Sequence, residues 1–222
     1  MKNTMDLFWQ ALYDRLKGEI HPFYMEVFGK KKEHNLYRYF RNIDNLSKVE
    51  KKLISMCYGK ILDVGCGTGN YIPALEKNGK VIGIDISPKV ISVAREMWFH
   101  NCFVANIFSY NEKKKFDTIT MFENNLGMGE TIDGTKKLLK KISNILNKNW
   151  QILIILSRRS WDKDYLESEL VPIYKDIKWK KFKWINFNPK YLSKICNEIN
   201  LNLKVISGNK YYSFIKITKK YF

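Results

Sequence analysis

Cysteine, histidine and arginine are all scarce in this chain of 222 residues, and each scarcity excludes something. The four cysteines, Cys57, Cys66, Cys102 and Cys196, lie far apart, form no Cys-x-x-Cys pair and have only three histidines to help them. A disulfide framework and a thiolate zinc site are therefore not expected. Each cysteine reads as a small buried apolar residue, Cys66 lining a site rather than reacting. Apolar runs of membrane-spanning length are absent, and the opening residues lack a signal-like stretch because Gln10, Asp14 and Arg15 interrupt Leu7, Phe8, Trp9, Leu12 and Leu16. The expectation is a soluble, cytoplasmic protein with no membrane partner. Only six of the 39 basic residues are arginine, although the net charge is +17. Lysine lacks the planar fork that reads phosphates and base edges. The lysines accompany abundant Asn, Ile, Tyr and Phe, all residues of A/T-rich codons, so base composition accounts for them without a partner. Such a field still favours encounter with anions, and a nucleic-acid partner stays open as the alternative.

A third glycine is missing from an otherwise nucleotide-binding pattern. The run Ile61-Leu62-Asp63-Val64-Gly65-Cys66-Gly67-Thr68-Gly69-Asn70-Tyr71 reads as a buried strand that ends in a glycine-rich turn and opens a helix. Glycines let backbone N–H groups approach a ligand with no Cβ in the way, and the helix start adds unpaired donors and a partial positive charge. A dinucleotide fingerprint would place its third glycine at position 70, which is Asn70, and that reading weakens. Asp63 at the strand end would repel a pyrophosphate and suits an ammonium group. Downstream, Val81-Ile82-Gly83-Ile84-Asp85 is a second apolar run ending in a carboxylate, and Asp85 falls 20 positions after Gly65, a spacing that suits a ribose diol.

Residues 61–97 resemble the class I S-adenosylmethionine-dependent methyltransferases, whose first motif is similar to Leu62-Asp63-Val64-Gly65-Cys66-Gly67-Thr68-Gly69 and whose second is similar to Gly83-Ile84-Asp85-Ile86-Ser87. The resemblance extends over most of residues 45–222. It implies an α/β fold, doubly wound, with a mostly parallel seven-stranded sheet, helices on both faces and a C-terminal antiparallel hairpin. It implies S-adenosylmethionine as methyl donor, S-adenosylhomocysteine as product, and no metal. Under it, Asp63 faces the cofactor amino group, the turn of Gly65, Cys66, Gly67 and Gly69 passes beneath the methionine, and Asp85 with Ile86 takes the ribose. Asn106 stands where the family usually has an aspartate facing the adenine amino group, and its amide oxygen can accept the same hydrogen bond. Ile107 and Phe108 next to it can wall the ring, with core packing the alternative.

The rest of the chain alternates as such a sheet requires. Residues 1–45 read as a helical extension or lid, with an amphipathic helix over 1–17. Within it His34 and the string Tyr37-Arg38-Tyr39-Phe40-Arg41 offer groups for the cofactor carboxylate or the acceptor; Tyr39 is assigned to the acceptor pocket. Ser47-Lys48-Val49-Glu50 is a capping box for a helix to about residue 56. The domain proper spans 46–222. The pattern predicts a crossover helix over 70–78, a strand over 81–84, a helix from Ser87-Pro88 to about residue 100, and strands over 102–105 and 116–122. Glu123-Asn124-Asn125-Leu126-Gly127-Met128-Gly129-Glu130 follows at a carboxyl end of the sheet, where ligands bind. Asn124 is placed at the cofactor and Asn125 at the acceptor. This loop does not resemble the Asn/Asp-Pro-Pro-Tyr motif of nucleobase amino methylation. A lysine-rich helix over 132–147, a turn at 147–150, a central strand over 151–156, a helix over 188–200 and a hairpin over 201–218 complete the sheet. Residues 158–188 read as an insertion shaping the acceptor pocket, with Arg158 in it and a half-buried strand, bulged at Lys180-Lys181, over 177–184.

The function that follows is methyl transfer to N or O of a small molecule. A sulfonium is already a good leaving group, so the protein mainly aligns the acceptor, with Glu123 the first and His34 the second candidate for a base. The alternative is an RNA methyltransferase or nucleic-acid-binding protein that uses the lysine surface and the aromatics of 177–184. The oligomeric state is not legible.

Overall fold

A computed structural model of the protein describes residues 6–111, 115–157 and 162–220. Five parallel strands form the centre of the main sheet: β3 (Gly59–Val64), β4 (Gly79–Asp85), β5 (Cys102–Val104), β6 (Phe116–Met121) and β7 (Leu146–Ser157). β11 (Leu201–Gly208) and β12 (Tyr212–Lys219) close it as an antiparallel hairpin, in the order β11-β12-β7-β6-β3-β4-β5. The chain order reverses at β3, which pairs with both β4 and β6. Successive strand residues divide between two cores, as a period of two requires. Ile61, Val81, Leu153, Ile155 and Phe214 pack under α1 (Asp6–Leu16), α2 (Lys48–Ser55), α3 (Ile72–Glu76) and α4 (Pro88–Glu96). Leu62, Ile84, Ile152, Ile154 and Ile215 pack under α5 (Ile132–Ser143) and α6 (Pro189–Glu198). Caps set several helix starts: the reciprocal Ser47/Glu50 box, Ser87 and Asn188 each followed by proline, and Thr131. Among the described residues no helix is long and apolar enough to cross a membrane.

A second, antiparallel sheet is the main departure from expectation. Beyond α1, the N-terminal segment is not helical as expected but folds as a hairpin of β1 (Phe23–Val27) and β2 (Lys30–Glu33), followed by short 3₁₀ turns at Leu36–Phe40 and Ile43–Asn45. β1 also pairs with β8 (Tyr165–Tyr174), which carries β9 (Ile177–Lys178) on one part of its edge and β10 (Phe182–Phe187) on another. The expected bulge at Lys180-Lys181 is thus a break between two strands. Three boundaries also move. The crossover helix after the glycine turn is only Ile72–Glu76, α4 stops at Glu96 before Trp98 at φ +68°, and the expected turn at 147–150 is already strand.

Candidate functional site

A cavity of about 780 Å³ runs from the carboxyl ends of β3, β4 and β6 to the underside of the second sheet, within the ~300–1,000 Å³ of small-molecule sites. The turn after β3 is its floor. Gly65 has φ +73°, and a Cβ there would lie 2.5 Å from the Asn125 amide nitrogen. That amide donates to the carbonyls of Val64 (3.0 Å) and Gly65 (2.9 Å), bracing the turn. Gly67 and Cys66 also line the cavity, whereas Gly69 does not. Gly69 (φ +82°) instead lets the chain pass the Phe99 ring, 2.6 Å from where its Cβ would be, so its expected place beneath the methionine is corrected.

Two buried carboxyls face this floor. Asp63 Oδ1 accepts from the Thr120 hydroxyl at 2.7 Å, while Oδ2 is buried with no partner. Burial, with Asp85 nearby, pushes its pKa up to about 7. An orphaned carboxylate oxygen in a cavity wall fits an ammonium donor. Asp85 Oδ2 accepts from Gly67 N (3.2 Å) and Oδ1 from Ser87 N (3.1 Å), yet burial still pushes it up to about 6. Each oxygen retains acceptor capacity for a hydroxyl, as a ribose diol demands. Ile86, Asn106 and Ile107 continue the wall beyond Asp85. Asn106 Oδ1 already accepts from Phe108 N at 3.0 Å, leaving one lone pair for the expected contact.

Glu123 and Asn124 follow β6 with φ +53° and +64°, a strained pair of the kind that clusters at functional sites. Both line the cavity, but their side chains are engaged by protein. Glu123 Oε2 pairs with Arg38, and Oε1 meets Arg41 Nη2 (3.2 Å) and the Tyr71 hydroxyl (2.9 Å). Arg41 and Tyr71 also reach Glu50, at 2.9 and 2.7 Å. Burial would push Glu50 up; Arg41 and Ser47 hold it below its usual value. Both oxygens of Glu123, the first candidate base, are thus taken up by the protein's own donors. Asn124 donates to Asn186 Oδ1 (2.9 Å) and accepts from Ser157 N (3.0 Å), joining the second sheet to β7. The two asparagines thus lie opposite to expectation, Asn125 on the glycine turn and Asn124 toward the second sheet.

The remaining wall is a roof. The 3₁₀ turn Leu36–Phe40 is tied to the glycine turn by Thr68, whose hydroxyl donates to the Tyr39 carbonyl, and by Asn70 Nδ2, 3.5 Å from the Arg38 carbonyl. His34 Nε2 and the Tyr39 hydroxyl are 2.9 Å apart, and the Phe8 ring packs edge-on against both. From the second sheet Met25, Leu170, Phe182, Trp184 and Asn186 line the cavity. Arg158, expected in the acceptor pocket, lies outside the described residues. Residue reading missed Tyr71 and Asn186; Phe182 and Trp184 carried a signal in their i, i+2 spacing within the predicted half-buried strand.

A family model described as a methyltransferase domain matches residues 58–216. A putative methyltransferase, 235L, of Invertebrate iridescent virus 6 is 29% identical over 157 residues, which cover 68% of this chain and 56% of the viral protein. The chain thus spans little more than half of that relative's length. A solved S-adenosylmethionine-dependent methyltransferase of Bacteroides fragilis, in complex with S-adenosyl-L-homocysteine, superposes with a TM-score of 0.89 at 23% identity, covering 100% of this chain and 98% of that one. The sugar N-methyltransferase KedS8 of Streptoalloteichus superposes at 0.61 with 12% identity, covering 88% and 97%. With the motif turn, the paired carboxyls and the sheet order in place, the chain belongs to the methyltransferase domain family and carries the class I methyltransferase fold.

Proposed function

We propose that the protein methylates a nitrogen or oxygen of a small molecule held beneath the second sheet. The observation that carries this reading is the cavity itself, floored by the glycine turn and roofed by α1, the Leu36–Phe40 turn and the β1/β8/β10 face. Such a space suits a small acceptor rather than a polymer. The aromatic strip weighed for stacking bases turns Phe182 and Trp184 inward, while Lys178 and Lys181 pair with Glu26 (2.8 Å) and Glu169 (2.9 Å). One of the structural matches acts on a sugar amine by its name, which supports a small acceptor without identifying this one.

S-adenosylmethionine supplies an electrophilic methyl on a sulfonium. In this assignment Asp63 Oδ2 holds the ammonium, the Gly65–Gly67 turn underlies the methionine, Asp85 takes the ribose hydroxyls, and Asn106 with Ile107 receives the base. The carboxylates also favour a cationic ligand. The protein's remaining work is to exclude water and hold an acceptor lone pair in line, a proximity effect that reaches about 7–11 kcal/mol in favourable cases. Calorimetric titration with S-adenosylmethionine and S-adenosylhomocysteine tests the assignment. Asp85→Ala is expected to cost about 1.5–3 kcal/mol of binding, as for hydrogen bonds to a charged group, and unchanged affinity would remove Asp85 from the ribose.

A further inference from the structure

The loop after β6 closes on a glutamate whose backbone is strained. Glu130 has φ +65° and ψ −39°, and across it the Gly129 carbonyl accepts from Thr131 N at 2.7 Å. This is a γ-turn of the rare, strained hand, which glycine would adopt with no Cβ penalty. Its neighbours hold it there: Glu130 N donates to the Gly127 carbonyl at 3.0 Å, and Thr131 caps α5 by accepting from Gly134 N at 3.0 Å. Strained residues cluster where a particular side chain is needed, and Glu130 lines the cavity. The Glu123 carboxylate is taken up by Arg38, Arg41 and Tyr71, whereas among the described residues neither a hydrogen bond nor an ion pair engages that of Glu130. Trp184 flanks the same turn. A Cβ on Gly127 would lie 2.0 Å from its indole nitrogen, so the pyrrole edge rests on the glycine to which Glu130 N donates. Phe182 meets the indole edge to face at 6.1 Å. Both aromatics line the cavity with Met25 and Leu170. A carboxylate and an indole ring on either side of one glycine each attract a cation.

We infer that the acceptor is a small amine with an apolar body, its nitrogen beside the Glu130 carboxylate and its body against Trp184. The inference rests on the methyltransferase reading above and names the acceptor class for it. The amine arrives in its ammonium form, held by Glu130, and gives one proton to water. The freed lone pair then attacks. The nitrogen–carbon bond forms as the carbon–sulfur bond breaks, with the electron pair left on sulfur, and no proton moves in that step. The positive charge leaves sulfur and appears on nitrogen, so Glu130 and Trp184 bind the transition state more tightly than the neutral amine. A hydroxyl acceptor gains less, because its most nucleophilic form is an oxyanion that Glu130 repels. Glu130 stays ionised throughout and acts by its charge.

The experiment uses the full chain saturated with S-adenosylhomocysteine and titrated, by ligand-observed NMR, with benzylamine, benzyl alcohol and benzoate, which share a ring and differ in head group. Benzylamine is expected to bind at least about tenfold more tightly than the other two. Glu130→Gln and Glu130→Gly should each abolish that preference while keeping S-adenosylhomocysteine affinity within about threefold of wild type. Glu130→Gly also relieves the strained turn, so its denaturation midpoint should not fall, which separates loss of the charge from loss of the fold. With S-adenosylmethionine, transfer to benzylamine should rise with pH to a plateau at the amine's own pKa and drop about a hundredfold in Glu130→Gln. Tighter binding of benzyl alcohol or benzoate, or a preference for benzylamine that survives both Glu130 variants, would overturn the inference while leaving the methyltransferase reading intact. Failure of S-adenosylhomocysteine itself to bind a folded sample would instead overturn the site assignment beneath it.

Discussion

A carboxyl oxygen buried with no protein partner, as Asp63 Oδ2 is, carries a desolvation cost that a hydrogen-bond donor on a ligand can remove. Its pKa, pushed up to about 7, lies above the ~3.9 of an unfolded aspartate. The stability it contributes is therefore fully present below about pH 4 and is lost as pH rises to about 7. Cofactor binding runs the other way, because an ammonium needs the ionised form. Affinity should fall by up to about tenfold per pH unit below pH 7, and binding near pH 6.5 should release protons. Calorimetry in two buffers of different ionisation enthalpy measures that release; heats that do not depend on the buffer would take Asp63 away from the ammonium. Glu123 predicts a different response. Glu123→Gln removes the carboxylate paired with Arg38, whose side chain is 29% exposed, and leaves Arg41 with Glu50 alone. Unfolding stability should drop by about 2–4 kcal/mol, near the lower end for broken buried pairs, as chemical denaturation will show. That Asp63, Asp85 and the turn of Gly65 and Gly67 meet at one cavity was legible because two adjacent strands of a parallel sheet end at those residues. Glu123 was legible as a place and not as a chemistry, since its partners come from residues 38, 41 and 71, which no local pattern joins to it.

Among elements, the parallel strands and capped helices could be read directly because each has a local cause: apolar runs, Ser-Pro and Asn-Pro starts, a capping box. The β1–β2 hairpin also has a local cause. Phe28 and Gly29 both adopt positive φ, +49° and +71°, between paired Val27 and Lys30. A two-residue turn of this kind ordinarily advertises itself with Asn-Gly or Asp-Gly, and phenylalanine in the first position hides it. Three consecutive lysines in β2 further disguise an edge strand as a solvated loop. The tie between this N-terminal segment and the glycine turn was invisible, since the Thr68 hydroxyl and the Tyr39 carbonyl meet only in the fold. Thr68→Val should loosen the segment without unfolding the main sheet. Hydrogen exchange is expected to quicken over residues 34–46 and to stay slow in β3, β6 and β7; uniform protection across all of them would show that the tie carries little.

For the whole molecule the +17 charge and the acid-rich cavity point in opposite directions, and salt separates them. Binding to a polyanion such as poly(U) should be measurable at low salt and lose orders of magnitude between about 50 and 200 mM. S-adenosylhomocysteine, bound inside, should neither compete with it nor share that slope. A salt-resistant RNA complex displaced by the cofactor would argue for a polymer acceptor instead. The second sheet has a further consequence, in the order of synthesis. Its β1–β2 hairpin leaves the ribosome about 130 residues before its partner β8, an interval on the order of ten seconds at roughly 5–20 residues per second. During that interval β1 offers a bare edge of Phe23, Tyr24, Met25 and Val27, open to pairing with another chain. The lysines of β2 shield one side of the hairpin only, so the nascent chain's exposure to aggregation is concentrated at the strand that later closes the site.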